Sequence, residues 1–448
     1  PHSTPTMGIV YDISVMRSPT TTPTLVTTFS HVLFTLLQSI NTTTAFTKPV
    51  NSHNFLHRCH RKTILPPRHT TITTTMTSLP PSIITSITKI DDLITTDAGG
   101  RGMKHLVVPG DLHASAEILA RLKPRHTSSS SPSSKSSSSK DDSASSSSNN
   151  KPRVIILTGF PCCTTHIPPM ETDGLASVAI ARAVVKMGYD AVLVTEECNG
   201  PVFEAAVEEE EYSSVRLSFY PSSSTSSKSS MSSSKWTKDN EEDLKQLAND
   251  ADLIIACERA GPAADGNCYT MRGINMNEKG LIAPLHDIVT HARSSSSSSV
   301  DNINSNNNNN NNKVKFIAIG DGGNELGMGK VIQKIHEHIP DGEKIGAVMP
   351  ADHLIAASVS NWGAYALIAA AALVFAADNR DDDDDDNNKS IVEDVLPTEE
   401  METRLLHRCV AAGCRDGVSG RMEATVDGMP LERSMECLRE IRKVALGK

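Results

Sequence analysis

The segment Val314–Lys330, VKFIAIGDGGNELGMGK, constrains the fold more than any other part of the chain. It starts with a short apolar run of the kind found in a strand that is covered on both faces. The glycines Gly320, Gly322 and Gly323 then interrupt this run and allow a tight turn with positive φ. A helix-like segment, IQKIHEHI, follows. The pattern predicts a strand, a glycine-rich loop and a helix in succession.

The loop has polar side chains where a parallel strand would end, namely Asp321, Asn324 and Glu325. It is not a Walker A phosphate loop, because Val331 stands where that motif requires Ser or Thr. It also lacks the third glycine of the GxGxxG dinucleotide fingerprint. The loop is therefore either a ligand-binding loop of another kind or an ordinary glycine-rich turn.

Strand-like and helix-like segments alternate along the rest of the chain. The apolar segments 153–158, 191–195 and 252–257 are each followed by a helix-like pattern, such as residues 175–188. This alternation predicts an α/β fold with a doubly wound, mostly parallel sheet and helices on both faces. The apolar segment 362–377 is too short and too rich in alanine for a membrane span. It predicts a buried helix that begins near Ile355.

Low-complexity tracts rich in Ser, Asn or Asp interrupt the chain near residues 126–151, 221–238, 294–312 and 380–390. They contain too little apolar surface to offset the entropy of ordering, so we expect disordered insertions in surface loops. A fold tolerates such insertions because the cost of closing a loop grows slowly with its length. The rest of residues 83–448 is predicted to form a single α/β domain.

Residues 1–82 differ in kind from the rest. Before Lys89 the acidic residue Asp12 stands alone among several arginines and lysines, in a background rich in Thr and Ser. This composition is typical of an organelle transit peptide, with a mitochondrial destination favoured over a plastid. A disordered extension or a misassigned gene start is the other interpretation.

Charge and cysteine usage limit the partners. The formal net charge is −10 and no basic patch stands out, so a nucleic-acid partner is not expected. The nine cysteines have no C-x-x-C spacing, which indicates a reducing compartment and disfavours both a disulfide framework and a structural zinc site. We expect a small-molecule substrate, no membrane association and, as a possibility to be tested, a homo-oligomer.

The four best strand predictions all lead into acidic residues. In chain order these are Glu171 with Asp173, Glu196 with Glu197, Glu258, and Asp321 with Glu325. The carboxyl ends of parallel strands meet at one edge of a sheet, so these groups would concentrate negative charge there. A cation or a basic ligand group would then be needed to share the site. The alternative for Asp173 is a purely structural role as a helix N-cap.

Three arginines are candidates to offset this charge. Arg259 and Arg272 follow the third predicted strand, and Arg101 lies between Gly100 and Gly102. A tight turn can present such an arginine to an anion, although it can equally be a simple turn residue. Asn361 interrupts the apolar helix, where it can either line the bottom of a pocket or kink the helix.

Taken together, these segments resemble the carboxy-terminal domain of the D-glutamate cyclase family. The matching segments are DAGGRG (97–102), TGF (158–160), PPMETDG (168–174), ERAGPAADGNCYTMRG (258–273), AIGDGGNELGMG (318–329), ADH (351–353), SNWGAYAL (360–367) and VDG (426–428). They span nearly all of the part expected to fold. The resemblance implies a lyase that converts D-glutamate to 5-oxo-D-proline with loss of water.

The resemblance also implies roles for the residues. Glu258 would be the base that faces the substrate amine, and Glu171, Asp173, Asp321 and Glu325 would bind a divalent cation or act as acid and base. The cation would be Mg²⁺ or Mn²⁺, held by Glu171, Asp173 and Asp321, since hard oxygen ligands suit these ions. No organic cofactor is expected. The predicted substrate-binding groups are Arg101, Arg259, Arg272, the amides of Gly322 and Gly323, Asn324 and Asn361.

Two other functions stay open on the sequence alone. One is a metal-dependent phosphate or nucleotide enzyme that holds phosphate with the backbone amides of the glycine loop. The other is a non-catalytic module that binds an amino acid or its lactam.

Overall fold

The alternating strand and helix pattern forms a six-stranded parallel sheet with helices on both faces, which confirms the predicted α/β class. A computed structural model describes residues 79–125, 151–222, 235–295, 313–379 and 385–448. The predicted transit segment 1–82 lies almost entirely outside these ranges, and so do most residues of the four predicted insertions. The insertion predicted near 380–390 overlaps a helix that begins at Asp385.

The strands of the main sheet are β1 (Arg153–Gly159), β2 (Asp190–Glu196), β3 (Arg216–Tyr220), β4 (Leu253–Arg259), β5 (Lys315–Gly320) and β6 (His353–Ala356), and a small hairpin contains β7 (Thr425–Val426) and β8 (Met429–Pro430). The helices are α1 (Pro81–Ile94), α2 (Asp111–Ala120), α3 (Ser177–Lys186), α4 (Gly200–Ala206), α5 (Lys238–Asp250), α6 (Asp287–Ser295), α7 (Ile332–His338), α8 (Gly342–Ile345), α9 (Ser360–Asp378), α10 (Asp385–Val395), α11 (Glu399–Ala411) and α12 (Leu431–Leu446).

The strand order in the main sheet is β3-β2-β1-β4-β5-β6, and all neighbouring strands are parallel. The chain first runs outward from β1 to β3 and then returns past β1 to β4. In open α/β sheets, the crevice beyond the carboxyl ends of the strands at such a reversal is where ligands bind. The β1–β4 junction is therefore the place to look for a site.

Side chains that alternate along the strands fill two hydrophobic cores, one on each face of the sheet. Ile156 and Ile255 belong to the core beneath α1, α2, α3, α9 and α12. Ile155 and Ile254 belong to the core beneath α5, α6 and α7. Because both faces are covered, the strands read as continuous apolar runs in the sequence, as predicted for a buried parallel sheet.

Helix α9 runs through the first core and carries the apolar segment predicted to be a buried helix. Among the described residues, α9 is the one helix that is long and apolar enough to cross a membrane. However, 83% of its 18-residue apolar stretch is buried inside the fold. The predicted start near Ile355 was wrong. Residues His353–Ala356 form the edge strand β6, and the helix begins at Ser360.

Candidate active site

A cavity of about 270 Å³ opens at the carboxyl ends of β1, β4 and β5. Its lining includes Glu171 from the loop after β1, Glu258 from the end of β4 and Asp321 from the loop after β5. Pockets for drug-sized ligands occupy roughly 300–1,000 Å³. This cavity therefore suits a small polar metabolite, and it lies at the reversal point of the sheet.

Three carboxyl groups converge at the wall of this cavity. Asp173, Glu258 and Asp321 each place one oxygen so that the three oxygens lie within 4.8 Å of one another. All three residues are buried. A buried set of hard carboxylate oxygens is the kind of donor set that a divalent cation accepts. The sequence predicted Glu171 in this set, whereas the structure groups Glu258 with the two aspartates.

Asp173 sits at the N-terminus of α9. Its two carboxylate oxygens accept hydrogen bonds from the backbone N–H groups of Ser360 and Asn361, both at 2.8 Å. Burial raises the pKa of Asp173 to about 7, with the charge of Asp427 adding to the rise and these backbone hydrogen bonds opposing it. Asp173 therefore caps a helix, as one interpretation of the sequence proposed. The helix is α9, whose first residue lies 187 positions further along the chain.

Glu258 has a backbone conformation that is unusual for a residue with a side chain. The φ of Glu258 is 44°. The residue lies where the register between β1 and β4 shifts, because Thr158 pairs with Cys257 and Gly159 pairs with Arg259. The Ser360 hydroxyl donates a 2.6 Å hydrogen bond to its carboxylate. Burial, followed by the charge of Glu325, raises the pKa of Glu258 well above its ordinary value. Backbone strain of this kind concentrates at functional sites.

Arg101, from the first part of the described chain, contacts Asp427, from its last part, in the lining of the cavity. Its guanidinium forms ion pairs with Asp321 and, at 2.8 Å, with Asp427. Gly100 and Gly102 beside it have φ of 62° and 89°, which favours glycine at both positions. Arg101 therefore belongs to the site, where its partners are side chains of the protein itself.

Asp427 is a site residue that the sequence reasoning missed. It lies in the turn between β7 and β8 with φ of 54°, and it lines the cavity. The VDG segment carried a signal, because an Asp-Gly pair between short strands indicates a turn that can present a carboxylate. Only the fold shows that this turn meets the carboxyl ends of β1, β4 and β5.

Glu171 is buried in the cavity wall. Burial, followed by the charges of Asp427 and Asp173, raises the pKa of Glu171 well above its ordinary value. Burial also outweighs the Arg101 charge at Asp321 and raises the pKa of that carboxyl. Together with Asp173 and Glu258, these groups form a set that cannot all ionise without a cation. The site therefore favours an ammonium group, a metal ion or shared protons.

The glycine loop is organised by Glu325. Its carboxylate accepts hydrogen bonds from the backbone N–H groups of Asp321, Gly322 and Gly323 at 3.0, 2.6 and 2.7 Å. A Cβ atom at Gly322 would lie 2.8 Å from the sulfur of Met271 and 2.9 Å from the side-chain oxygen of Asn324, so a larger residue there would displace these side chains. The amides predicted to bind substrate thus donate to Glu325, and Asn324 donates to the carbonyl of Tyr269 at 2.7 Å.

The remaining predicted residues occupy three different positions. Arg259 is buried behind the cavity wall in a 2.5 Å ion pair with Glu196, and it is not among the described residues that line the cavity. Asn361 accepts a 2.8 Å hydrogen bond from the amide of Ala176 and supports the loop after β1. Arg272 is exposed and lines the cavity. Of these three, Arg272 has the position required of a group that meets substrate.

Comparisons with known proteins identify the family of the chain. The sequence model of a family described as "D-glutamate cyclase-like, C-terminal" matches residues 90–442. The chain is also 28% identical over 359 residues to a human protein named "D-glutamate cyclase, mitochondrial". The match covers 78% of this chain and 50% of the human protein, so the chain spans about half the length of that relative.

Proposed function

This chain belongs to the D-glutamate cyclase-like, C-terminal family, and from this premise we propose that it cyclises D-glutamate to 5-oxo-D-proline. The observation that carries the proposal is the buried carboxyl cluster at the cavity, in which Asp173, Glu258 and Asp321 lie within reach of one ion or ammonium group. The human relative's name supports the choice of substrate.

The proposed reaction requires two proton transfers. Lactam formation joins the amine nitrogen to the carbon of the γ-carboxylate group and breaks one C–O bond of that group. Two protons leave the ammonium nitrogen, and both end on the departing oxygen, which leaves as water. Carboxyl groups with raised pKa values suit such transfers, because a raised pKa brings a proton donor or acceptor closer to the pH at which the reaction runs.

We assign these transfers to named residues. Glu258 takes a proton from the substrate amine, since it lines the cavity and its carboxylate is held by Ser360. Glu171, whose pKa is raised by burial, donates a proton to the departing oxygen. Arg272 binds the α-carboxylate at the mouth, where a guanidinium can form paired hydrogen bonds. Arg101 holds Asp321 and Asp427 in place.

The same cluster fits a divalent cation. Asp173, Glu258 and Asp321 would hold Mg²⁺ or Mn²⁺, and a bound ion would make the γ-carboxylate more electrophilic. Raised carboxyl pKa values support this assignment, because they mark buried negative charge without enough positive charge beside it. A thermal-shift series with Mg²⁺, Mn²⁺ and Ca²⁺ tests it, with Asp321→Asn as the variant that should lose the stabilisation.

The decisive experiment is a product assay. The full chain is incubated with D-glutamate or L-glutamate, with and without Mn²⁺, and 5-oxoproline is quantified by chiral chromatography and mass spectrometry. We expect product from D-glutamate and a large loss of rate in Glu258→Gln. Binding of D-glutamate or the lactam without turnover would identify a non-catalytic binding module instead.

The phosphate-enzyme alternative is disfavoured, because the amides of the glycine loop, which would have to bind phosphate, already donate hydrogen bonds to Glu325.

The proposed cellular site is the mitochondrion. The human relative's name includes this compartment, and the composition of residues 1–82 matches a transit peptide. A fusion of residues 1–89 to a fluorescent protein tests the proposal. Import into plastids would support the alternative destination.

A further inference from the structure

Two adjacent cysteines lie in the loop after β1, at the wall of the cavity. The sulfur atoms of Cys162 and Cys163 are 3.8 Å apart, which is van der Waals contact. Cys162 is half-buried and lines the cavity, whereas Cys163 is buried just behind it. A small reagent that enters the cavity therefore reaches one sulfur directly, and the second sulfur touches the first.

We propose that Cys162 and Cys163 form an oxidisable dithiol, a modification site for hydroperoxides or small disulfides that reach it through the cavity. The other described cysteines, Cys198, Cys257, Cys268, Cys409, Cys414 and Cys437, are all buried and away from the cavity lining. In the folded protein they are shielded from such reagents, so the reaction is selective for the adjacent pair.

The two thiols of the pair differ in acidity. The hydrogen bond from Cys162 lowers the pKa of the Cys163 thiol, and the positive charges of Arg415 and Arg272 lower it further. The same contact raises the pKa of Cys162. Cys163 is thus the more acidic thiol, and its sulfur lies in contact with the Cys162 sulfur that lines the cavity.

The oxidation balances with hydrogen peroxide as the oxidant. One thiolate attacks the peroxide, the O–O bond breaks, and sulfenic acid and, after one proton is taken up, water are formed. The neighbouring thiol then displaces the sulfenic oxygen as a second water molecule and closes the S–S bond. The two sulfurs together lose two electrons and two hydrogens. With a small disulfide as oxidant, a mixed disulfide forms first and the second thiol releases the reduced reagent.

A disulfide between adjacent residues is readily reversed. Neighbouring Cα atoms are about 3.8 Å apart, which is shorter than the roughly 4.4–6.8 Å of ordinary disulfides. The ring is therefore strained, and strained disulfides are reduced more easily. Reversibility by a dithiol reductant is expected, as for a regulatory modification.

Oxidation also alters the cavity. Cys162 is hydrogen-bonded to Glu171, and this contact lowers the pKa of that carboxyl against the larger effect of burial. Disulfide formation removes the thiol hydrogen and draws the sulfur toward Cys163. This consequence alone rests on the proposed function: with that function, oxidation lowers the cyclase rate and dithiothreitol restores it.

The test uses the full chain with Cys59, which lies outside the described residues, changed to Ser in every protein compared. Folded protein is treated with hydrogen peroxide or oxidised glutathione, alkylated and digested with trypsin. Peptide 154–182 contains both cysteines and no other, so mass spectrometry reads the pair alone. Phenylarsine oxide, which needs two neighbouring thiols, serves as a second probe, with binding followed by intact mass.

We expect peptide 154–182 to lose two hydrogens, to regain them with dithiothreitol, and to bind one arsenical per chain. Cys162→Ser and Cys163→Ser should each abolish both results, and Cys162→Ala repeats the test if a serine variant does not fold. Unmodified peptide in folded protein, or equal arsenical binding by the single variants, would refute the proposal. These readouts do not depend on turnover, so a failed cyclase assay leaves them valid.

Discussion

At the residue scale, the site consists of carboxyl groups whose charge the fold leaves only partly neutralised. Asp173 and Glu258 are held by the first residues of α9, and Asp321 is held by Arg101. Burial raises the pKa of all three carboxyl groups. Stability and activity should both respond to their protonation.

The first residue-scale prediction concerns Glu258→Gln. The change removes the proposed base while keeping the shape of the side chain, so the cyclase rate should fall by about 10²–10⁴-fold. Glu402→Gln is the matched control, because burial raises the pKa of Glu402 to about 7 as well, yet it lies outside the cavity. Steady-state kinetics should separate the two variants, and equal losses in both would contradict the assignment.

The second residue-scale prediction concerns stability against pH. An unfolded Asp ionises near pH 4, whereas folded Asp173 stays protonated up to about pH 7. Between these values the unfolded state binds fewer protons, so this group lowers the free energy of unfolding as pH rises, by about 1.4 kcal/mol per pH unit. Above pH 7 the effect levels off. Urea unfolding from pH 4 to pH 8 should show at least this slope in the wild type, because the pKa values of Glu171, Glu258 and Asp321 are raised too.

Asp173→Asn removes one titrating group and should reduce that slope by about 1.4 kcal/mol per pH unit, although it also weakens the contacts with α9. Mn²⁺ should flatten the slope in the wild type too, because a cation stabilises the ionised form. A pH profile identical in wild type and Asp173→Asn would show that other groups dominate.

At the element scale, the loop between α11 and the β7–β8 hairpin closes one side of the cavity. The Asp416 carboxylate accepts hydrogen bonds from the amides of Val418, Ser419 and Gly428 at 3.0, 2.6 and 2.7 Å. This network fixes Gly428, which follows Asp427 in the chain. It also holds the loop so that Gly417 and Val418 line the cavity. The loop is therefore a positioning element for the site.

Gly417→Ala tests this element. A Cβ atom at this position would overlap the Glu171 carboxylate, so the loop or Glu171 must move. Misplacement of catalytic groups by about 1 Å can cost on the order of 10²-fold in rate. We expect a loss of that order, measured as kcat/KM, with little change in global stability.

Gly420→Ala is the matched control in the same loop. It has open space around its Cβ and costs only the strain of its positive φ, about 1 kcal/mol. Its rate should stay near that of the wild type. Equal rates for the Gly417 and Gly420 variants would contradict the positioning role of the loop.

At the scale of the whole molecule, the long insertions interrupt the chain without interrupting the sheet. The carboxylate of Asp252 accepts hydrogen bonds from the amides of Arg125 and Arg153, at 2.6 and 2.8 Å. One side chain thus ties together the two ends of the first serine-rich tract. The fold closes this gap itself, whatever the length of the tract.

Replacement of residues 127–149 by a short Gly/Ser linker should therefore leave the fold intact. Each halving of loop length gains only about 0.6 kcal/mol, so the free energy of unfolding should change by about 1 kcal/mol. Asp252→Ala should cost more, about 1–3 kcal/mol, because two partly buried amides lose their acceptor. Chemical denaturation of both variants checks this, and a collapse of the shortened protein would contradict it.

The sequence by itself determined the fold class and most of the elements. Apolar runs such as 153–158 have the composition of buried parallel strands, and their alternation with helices allows few arrangements. It also identified Glu171, Asp173, Glu258 and Asp321 as strand-end carboxylates, because local order along the chain places each of them at that edge. Local pattern is visible in sequence since it depends on neighbours within a few residues.

Only the tertiary structure decided which of these groups meet. Glu325 lines the cavity, but its carboxylate accepts hydrogen bonds from its own loop. Arg259 pairs with Glu196, and Asp427, more than a hundred residues from Asp321, shares Arg101 with it. The direction of a side chain at a strand end depends on packing against distant elements, as the register shift at Glu258 shows. Long-range packing is a property of the folded chain, so no local pattern reveals it.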